Sequence, residues 1–340
     1  MKKIFIRADG GKSIGMGHIM RMLVLAEELR KEYEVIFLCR NNSNDKYLSG
    51  INKIESEKFK VILIDETNVI KDIIKIQNIE NAELLITDSY DVEEFYFDKL
   101  EKYFHKTIYI DDINICRINS DMIINQNINA KQYDYNTYPN KQTKLLLGTQ
   151  YILLRNEFRN FERTKLNEKV SDIMLTVGGM DDDYLTLKAI QALSEFDVNL
   201  HVVIGGAFEE KLTDEICSFK SDRLKVISCK NAIMSEIMKK CDLAISACGS
   251  TLYELSVMQV PTIGIVVADN QISVAKYMEK NNMIINTNNL IYTDLGMFNK
   301  IVYSTINDFN LRKELIHNSK KHIDVNGAKR IMKEIAMLIS

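Results

Sequence analysis

The sequence predicts an α/β protein built from two doubly wound parallel sheets, one after the other along the chain. Three observations carry this expectation: the strand-like runs are nearly all apolar, glycine turns and helical patterns separate them, and the series pauses at residues 131–170 before it begins again. Apolar runs without alternation are what parallel strands covered on both faces require. At 340 residues the chain is also long enough for two domains of ordinary size.

The opening reads as strand, glycine turn, helix. Lys3-Ile4-Phe5-Ile6-Arg7 is short and β-prone, and the following GGKSIGMGH carries four glycines in nine positions. Ile19, Met22, Leu23, Ala26 and Leu29 then recur at three- and four-residue spacing, as in an amphipathic helix. Further strands are expected at 35–38, 61–64, 84–87, 107–110 and 122–124, with helical patterns such as EEFYFDKLEKYF between some of them. Asp65, Asp88, Asp111 and Asn125 close several of these runs, and the C-terminal strand ends are where open α/β sheets hold ligands. Residues 131–170 contain Pro139, many polar residues and the short run 151–155, and the inter-domain connection is expected near 160–170.

The second series starts at Asp172. Its first run leads into Gly178-Gly179 and a helix through Leu187, Ile190 and Leu193; the run at 201–204 leads into Gly205-Gly206. A run at 224–227 precedes NAIMSEIMKKC, another at 243–246 leads to ACGSTLYELSVMQ, and VPTIGIVVADNQ supplies one more strand. The stretch 311–338 reads as helix, broken near Asn326-Gly327. With right-handed crossovers this gives two Rossmann-like domains, 1–165 and 166–340, facing across a cleft in the GT-B arrangement, the C-terminal helix being free to pack back on the first domain.

Composition narrows the function. The 44 Lys+Arg against 47 Asp+Glu leave a net charge of −3, which gives no support for nucleic-acid binding. No segment has the roughly 20 apolar residues of a membrane span. The first apolar stretch is only Ile4-Phe5-Ile6, with Arg7 and Asp9 close behind, so an export signal is not expected. The six cysteines form no CxxC pair, which argues against structural zinc and a disulfide scaffold and for reduced thiols in or near the core of a cytoplasmic protein.

Gly15-Met16-Gly17-His18 at a helix start is the strongest local signal. Glycines let the backbone approach a ligand, and the first amides of a helix favour anions. That end of the helix disfavours positive charge, which suits a histidine to general-base work. The ordinary alternative, a histidine bonded to a nearby carbonyl, is outweighed by the glycine loop and the strand-end position. Gly249-Ser250-Thr251 can offer amides and hydroxyls to a diphosphate, with Glu254 placed either for a ribose diol or for a capping box. Gly178-Gly179 and Gly205-Gly206 do not fit GxGxxG, so no nicotinamide or flavin cofactor is expected. Asp181-Asp182-Asp183 reads as helix capping rather than a metal site, and Asp111-Asp112 as a candidate ligand contact. His105, His201, His317 and His322 have no comparable setting.

The segment IRADGGKSIGMGHIMRMLVLAEEL resembles the start of the UDP-sugar hydrolases of pseudaminic acid biosynthesis and of related spore-coat polysaccharide proteins. ITDSY, IDDI, INQN, LLRNEF, DLAISACGSTLYELSVMQVPTIGI, ADNQ and NGAKR follow in the family's order, so the resemblance covers essentially the whole chain. It implies metal-independent, inverting hydrolysis of UDP-2,4-diacetamido-2,4,6-trideoxy-β-L-altropyranose to UDP and the free sugar, with no cofactor and His18 as the base. It further implies that Arg7, Asp9, Gly17, Tyr90 and Asn125 line the sugar side, that Asn270 and Gln271 lie near the sugar or phosphate, and that Glu254 holds the ribose. Gly178, Gly179, Gly249, Ser250 and Thr251 would meet the diphosphate. Met180-Asp181 and Met258-Gln259 depart from the family's usual residues at those places. Two other readings remain: a glycosyltransferase of the same fold, with a hydroxyl acceptor, and a nucleotide-sugar-binding protein without turnover. The oligomeric state is not legible.

Overall fold

The computed structural model describes residues 1–340 apart from 12–13, 43, 115, 136–140, 160, 162, 164, 182 and 231–232. Asp182, one of three consecutive aspartates, and Pro139 therefore lie outside the described residues. The chain divides into two compact units: Met1–Arg155 with Asp324–Ser340, and Asn156–Ile323.

The first unit is built on seven strands: β1 (Lys3–Ala8), β2 (Glu34–Asn41), β3 (Lys60–Asp65), β4 (Leu84–Asp88), β5 (Lys106–Ile110), β6 (Met122–Asn125) and β7 (Lys144–Leu147). All pair in parallel, in the order β3-β2-β1-β4-β5-β6-β7. The chain order reverses direction at β1 and β4, the place where a doubly wound sheet opens for a ligand. Side chains alternate across the sheet. Ile4, Ile6 and Ala8 join Leu84 and Ile86 under the helix Gly17–Leu29, whereas Phe5 and Leu85 join the core beneath Val69–Glu80 and Phe95–Leu100. The helix Gly327–Leu338 also belongs to this unit, burying Ile331 and Ile335 in the first of these cores. A Cβ on Gly327 would lie 2.1 Å from the Ile152 carbonyl oxygen, so the close approach at that helix start requires glycine.

The second unit repeats the plan with β8 (Asp172–Thr176), β9 (Asn199–Val203), β10 (Lys225–Cys229), β11 (Leu243–Ala247), β12 (Thr262–Ile265) and β13 (Ile285–Asn286). These are parallel in the order β10-β9-β8-β11-β12-β13. Two strands were not foreseen from the sequence. β7 is an edge strand of four residues whose Lys144 and Leu145 are exposed, and β13 has only two residues, so neither produces a long apolar run. Cys217 is exposed rather than near the core, while the other five cysteines are buried or half-buried. Among the described residues no helix is long and apolar enough to cross a membrane.

Arg312 ties this unit together. Fully buried, it donates to the carbonyls of Thr305 (2.9 Å) and Ile306 at the end of the helix Leu295–Asn307, and to those of Asn167 and Glu168. It thereby satisfies orphan carbonyls at a helix end with a charge suited to that pole. Replacing Arg312 by Ala strands those acceptors, and a loss of about 2–4 kcal/mol is expected in the denaturant unfolding of the protein.

Candidate active site

Local sequence forces His18 into the first turn of its helix. After β1 the chain makes a glycine turn in which Gly11 and Gly15 exchange backbone hydrogen bonds of 3.0 and 2.9 Å, and Gly15 has φ +72°. The helix Gly17–Leu29 starts directly after it, with Met16 providing no side-chain cap. His18 is therefore at the second helical position, beside the C-terminal end of β4.

Asp88 ends β4, paired in register with Ala8, and is fully buried. His18 Nδ1 lies 2.7 Å from Asp88 Oδ1, and Arg21 Nε lies 2.6 Å from Asp88 Oδ2. Burial alone would raise the Asp88 carboxyl, but Arg21 and then His18 outweigh it and hold it down at about 2. A carboxylate has only acceptors to offer, so the proton in the His18–Asp88 contact is on Nδ1, which donates. The 3.2 Å approach of Arg21 Nη2 to Nδ1 is then two donors sharing the same carboxylate oxygen, not a bond between them. In the neutral ring this selects the tautomer that has Nε2 as its acceptor.

Arg21 is held in turn. Its Nη1 lies 2.8 Å from each oxygen of Asp112, and Tyr90 Oη donates to Asp112 Oδ2 at 3.0 Å. Burial would lower Arg21, but Asp112 and Asp88 together raise it well above its ordinary value. The Tyr90 ring meets His18 edge to face, 4.6 Å between centroids at 81°, and closes the circuit His18–Asp88–Arg21–Asp112–Tyr90.

The other residues expected on the sugar side fall into two separate clusters. Arg7 follows Phe5 in the alternation of β1 and so faces the opposite side of the sheet from Asp88. It pairs with Asp91 at 2.5 Å and Asp9 at 3.7 Å, while Arg40 Nε binds Asp9 at 2.7 Å and Arg40 Nη1 lies 2.8 Å from Asp91. Burial would raise Asp91, yet Arg7 above all holds it at about 2. Asn125, fully buried, donates to Tyr135 Oη at 2.8 Å, and that hydroxyl donates to Asp111 Oδ2 at 2.6 Å. Gly17 opens the His18 helix.

In the second unit Gly178, at φ +111°, follows β8. Gly179 comes next, and a Cβ on Gly205 would stand 2.5 Å from the Gly179 carbonyl oxygen, so the two glycine turns pack backbone to backbone. Asp181 caps the helix Leu185–Ala192, accepting from the amides of Leu185 (2.7 Å) and Thr186 (2.8 Å). Thr251–Val257 is a helix with Ser250 at its N-cap but no side-chain capping bond, and Glu254 is its fourth residue, not the third that a capping box needs. Gln271, in the first turn of Asp269–Lys280 with Asn270, places its amide nitrogen 3.8 Å from where a Gly249 Cβ would stand.

Sequence reasoning singled out His18 and Tyr90 but not Arg21 and Asp88 as site residues. The signal available was the spacing His18–Arg21, three residues apart and so on one helix face. Asp88 carried only its place at a strand end.

Two parallel doubly wound units define a protein of the GT-B fold. The chain resembles MurG of Acinetobacter baumannii with a TM-score of 0.69 and 14% identity, covering 99% of this chain and 100% of that one. It belongs to the glycosyltransferase family 28 C-terminal domain family, whose model matches residues 164–335. It is 33% identical over 278 residues to an uncharacterised protein of Methanocaldococcus jannaschii, 77% of this chain and 55% of that one. The spore coat polysaccharide biosynthesis protein SpsG of Bacillus subtilis is 27% identical over 80% of this chain and 79% of its own length. The UDP-2,4-diacetamido-2,4,6-trideoxy-β-L-altropyranose hydrolase of Campylobacter jejuni is 27% identical over 56% of this chain and 65% of its own. The match thus spans little more than half the length of the archaeal relative. The resemblance to sugar hydrolases and spore-coat proteins noted from the sequence holds in these relatives.

The Asp88 carboxyl has a pH signature. A group depressed on folding contributes stability above its unfolded value near 4, and that contribution disappears as pH falls through about 2. Stability is expected to fall by about 2 kcal/mol between those limits on account of Asp88. Urea midpoints measured across that range should be less acid-sensitive in Asp88→Asn.

Proposed function

We propose that the protein hydrolyses UDP-2,4-diacetamido-2,4,6-trideoxy-β-L-altropyranose to UDP and the free sugar, with water attacking the anomeric carbon. The observation that carries the proposal is His18 with its Nδ1–H committed to a buried, ionised Asp88, which leaves Nε2 to take a proton. That is the arrangement of an oriented general base. As the water oxygen bonds to the anomeric carbon, its proton goes to Nε2. The bond from that carbon to the diphosphate oxygen breaks, and its electron pair leaves with UDP, inverting the carbon. Asp88 stabilises the imidazolium that forms, and Arg21 and Asp112 keep Asp88 in place.

The proposal assigns the sugar end to the first unit, with Tyr90 and Gly17 beside His18 and with Asn125 at the same C-terminal end of the sheet; Arg7 and Asp9, which the resemblance put on the sugar side, lie instead in the ion cluster on the opposite face. The nucleotide end falls to the second unit. There Gly178, Gly179, Gly249, Ser250 and Thr251 take the diphosphate, Glu254 the ribose, and Asn270 and Gln271 the phosphate or sugar. A good leaving group needs its charge stabilised more than it needs a strong acid, and amide and hydroxyl donors supply that without a metal. The name of the Campylobacter relative, 27% identical, supports this choice of substrate.

A GT-B glycosyltransferase is the second reading, favoured by the family-wide match over residues 164–335. In that case His18 deprotonates an acceptor hydroxyl. Incubation of the UDP-sugar in EDTA without an acceptor decides between them. UDP and free sugar are expected in equal amounts, and UDP release only on adding an acceptor would transfer the assignment to the second reading.

Two variants test the roles. His18→Asn should lower turnover by about 10²–10⁴-fold while UDP still binds; turnover close to wild type would remove His18 from the reaction. Glu254→Ala should weaken UDP by about 1–3 kcal/mol in calorimetric titration, the cost of losing a charged hydrogen-bonding group.

A further inference from the structure

Arg40 takes no part in the reaction above, yet it joins the two segments that carry the His18 site. β2 runs on to Asn41, past the end of β1 at Ala8. The Arg40 amide there donates to Asp9 Oδ1 at 2.7 Å, and Arg40 Nε donates to Asp9 Oδ2 at 2.7 Å. One residue of β2 thus holds both oxygens of the carboxylate that immediately precedes the glycine turn. The same guanidinium reaches the second segment, with Nη1 2.8 Å from Asp91 Oδ2. Asp91 follows Tyr90, the residue whose ring meets His18, and its other oxygen accepts from the Ser89 hydroxyl of the same loop.

The fork is itself held in place. The Arg40 guanidinium carbon lies 4.9 Å from the centroid of the buried Tyr47 ring, and the Tyr47 hydroxyl donates to Glu66 at 2.8 Å. Arginine stacked on an aromatic face and bonded through several nitrogens has one orientation, and a lysine ammonium cannot reproduce that span. A turn rich in glycine has little stiffness of its own, so its anchored ends decide where the next helix starts. Asp9 is 3% exposed, which makes its anchor costly to break from one side.

We propose that Arg40 is a positioning residue of the His18 site, a clamp that fixes the glycine turn before His18 relative to the loop that carries Tyr90. It acts through Asp9 and Asp91, not on the substrate. Its effect on turnover rests on the hydrolase reading, and its effect on the two segments does not.

Nuclear magnetic resonance and steady-state kinetics on the full chain test the clamp. In Arg40→Lys, the Gly11 and Gly15 amides, which bond across the turn, should exchange about tenfold faster or more, with those of β5 and β6 unchanged. The nuclear Overhauser contact between the His18 and Tyr90 rings should weaken in the same variant. Asp91→Asn should weaken the ring contact alone, because Arg40 still holds Asp9, and Asp9→Asn should speed exchange in the turn. These two isosteric variants carry the test if Arg40→Lys does not fold. With the UDP-sugar, Arg40→Lys should lower kcat about tenfold or more while KM stays within about twofold, the mark of lost positioning rather than lost substrate contact. Unchanged exchange and ring contact, faster exchange throughout the first unit, a wild-type kcat, or a KM raised as far as kcat is lowered would each overturn the proposal. A wild-type protein that releases no UDP would overturn the hydrolase reading instead, and the exchange and ring-contact results would still decide the clamp.

Discussion

The arrangement of the first unit depends on one buried charge. Asp88 sits at the end of a central strand with no exposure to water, and an isolated carboxylate there would be protonated rather than ionised. Arg21 makes it an anion. Its guanidinium spans Asp88 and Asp112, so one cation bridges the carboxylate that ends β4 and the one that follows β5, and pins the helix Gly17–Leu29 to the C-terminal edge of the sheet. His18, one turn earlier on that helix, then has an acceptor at a fixed position. Its tautomer follows from electrostatics two residues removed from the ring.

That dependence explains why the glycine turn has the form it does. The helix must begin close to the C-terminal ends of β1 and β4 for its second residue to reach Asp88, and a turn that stood off the sheet would lift it away. Gly50 shows how tight the fit is: a Cβ there would lie 2.5 Å from the carbonyl oxygen of Gly10. The turn is thus held against the neighbouring helix Leu48–Ser56 by backbone contact, which fixes His18 more rigidly than side-chain packing alone would.

Much of the fold was legible because parallel strands buried on both faces produce unbroken apolar runs, and both series of such runs lie in the observed sheets. β7 escaped because its run, Leu145-Leu146-Leu147, is short, lies within the polar pause at 131–170 and belongs to an edge strand with exposed Lys144 and Leu145. His18 was legible because its glycines are local. Its partners were not: Asp88 is 70 residues away and Asp112 is 91 residues from Arg21, and sequence spacing says nothing about which strand end meets which helix start. The capping-box question at Glu254 was likewise undecidable from spacing, since it turns on whether the N-cap is Thr251 or Ser250. A shift of one residue moves Glu254 from the third helical position to the fourth.

The alternation of β1 separates two chemistries that adjacent residues would otherwise mix. Ala8, small and on the His18 face, leaves room at the sheet edge for Asp88 and Arg21; Arg7, on the other face, anchors Asp9, Asp91 and Arg40. The loop after β4 follows the same division, with Tyr90 against the His18 ring and the next residue, Asp91, on Arg7. Two ion clusters of opposite orientation are therefore joined by a single peptide bond. A change in the charge balance around Arg7 acts on Asp91, and Asp91 is covalently adjacent to the residue that packs on the proposed base. Here the twofold period of a β-strand does what a domain boundary does elsewhere, keeping a buried base with its carboxylate on one side and a guanidinium with unmet donors on the other.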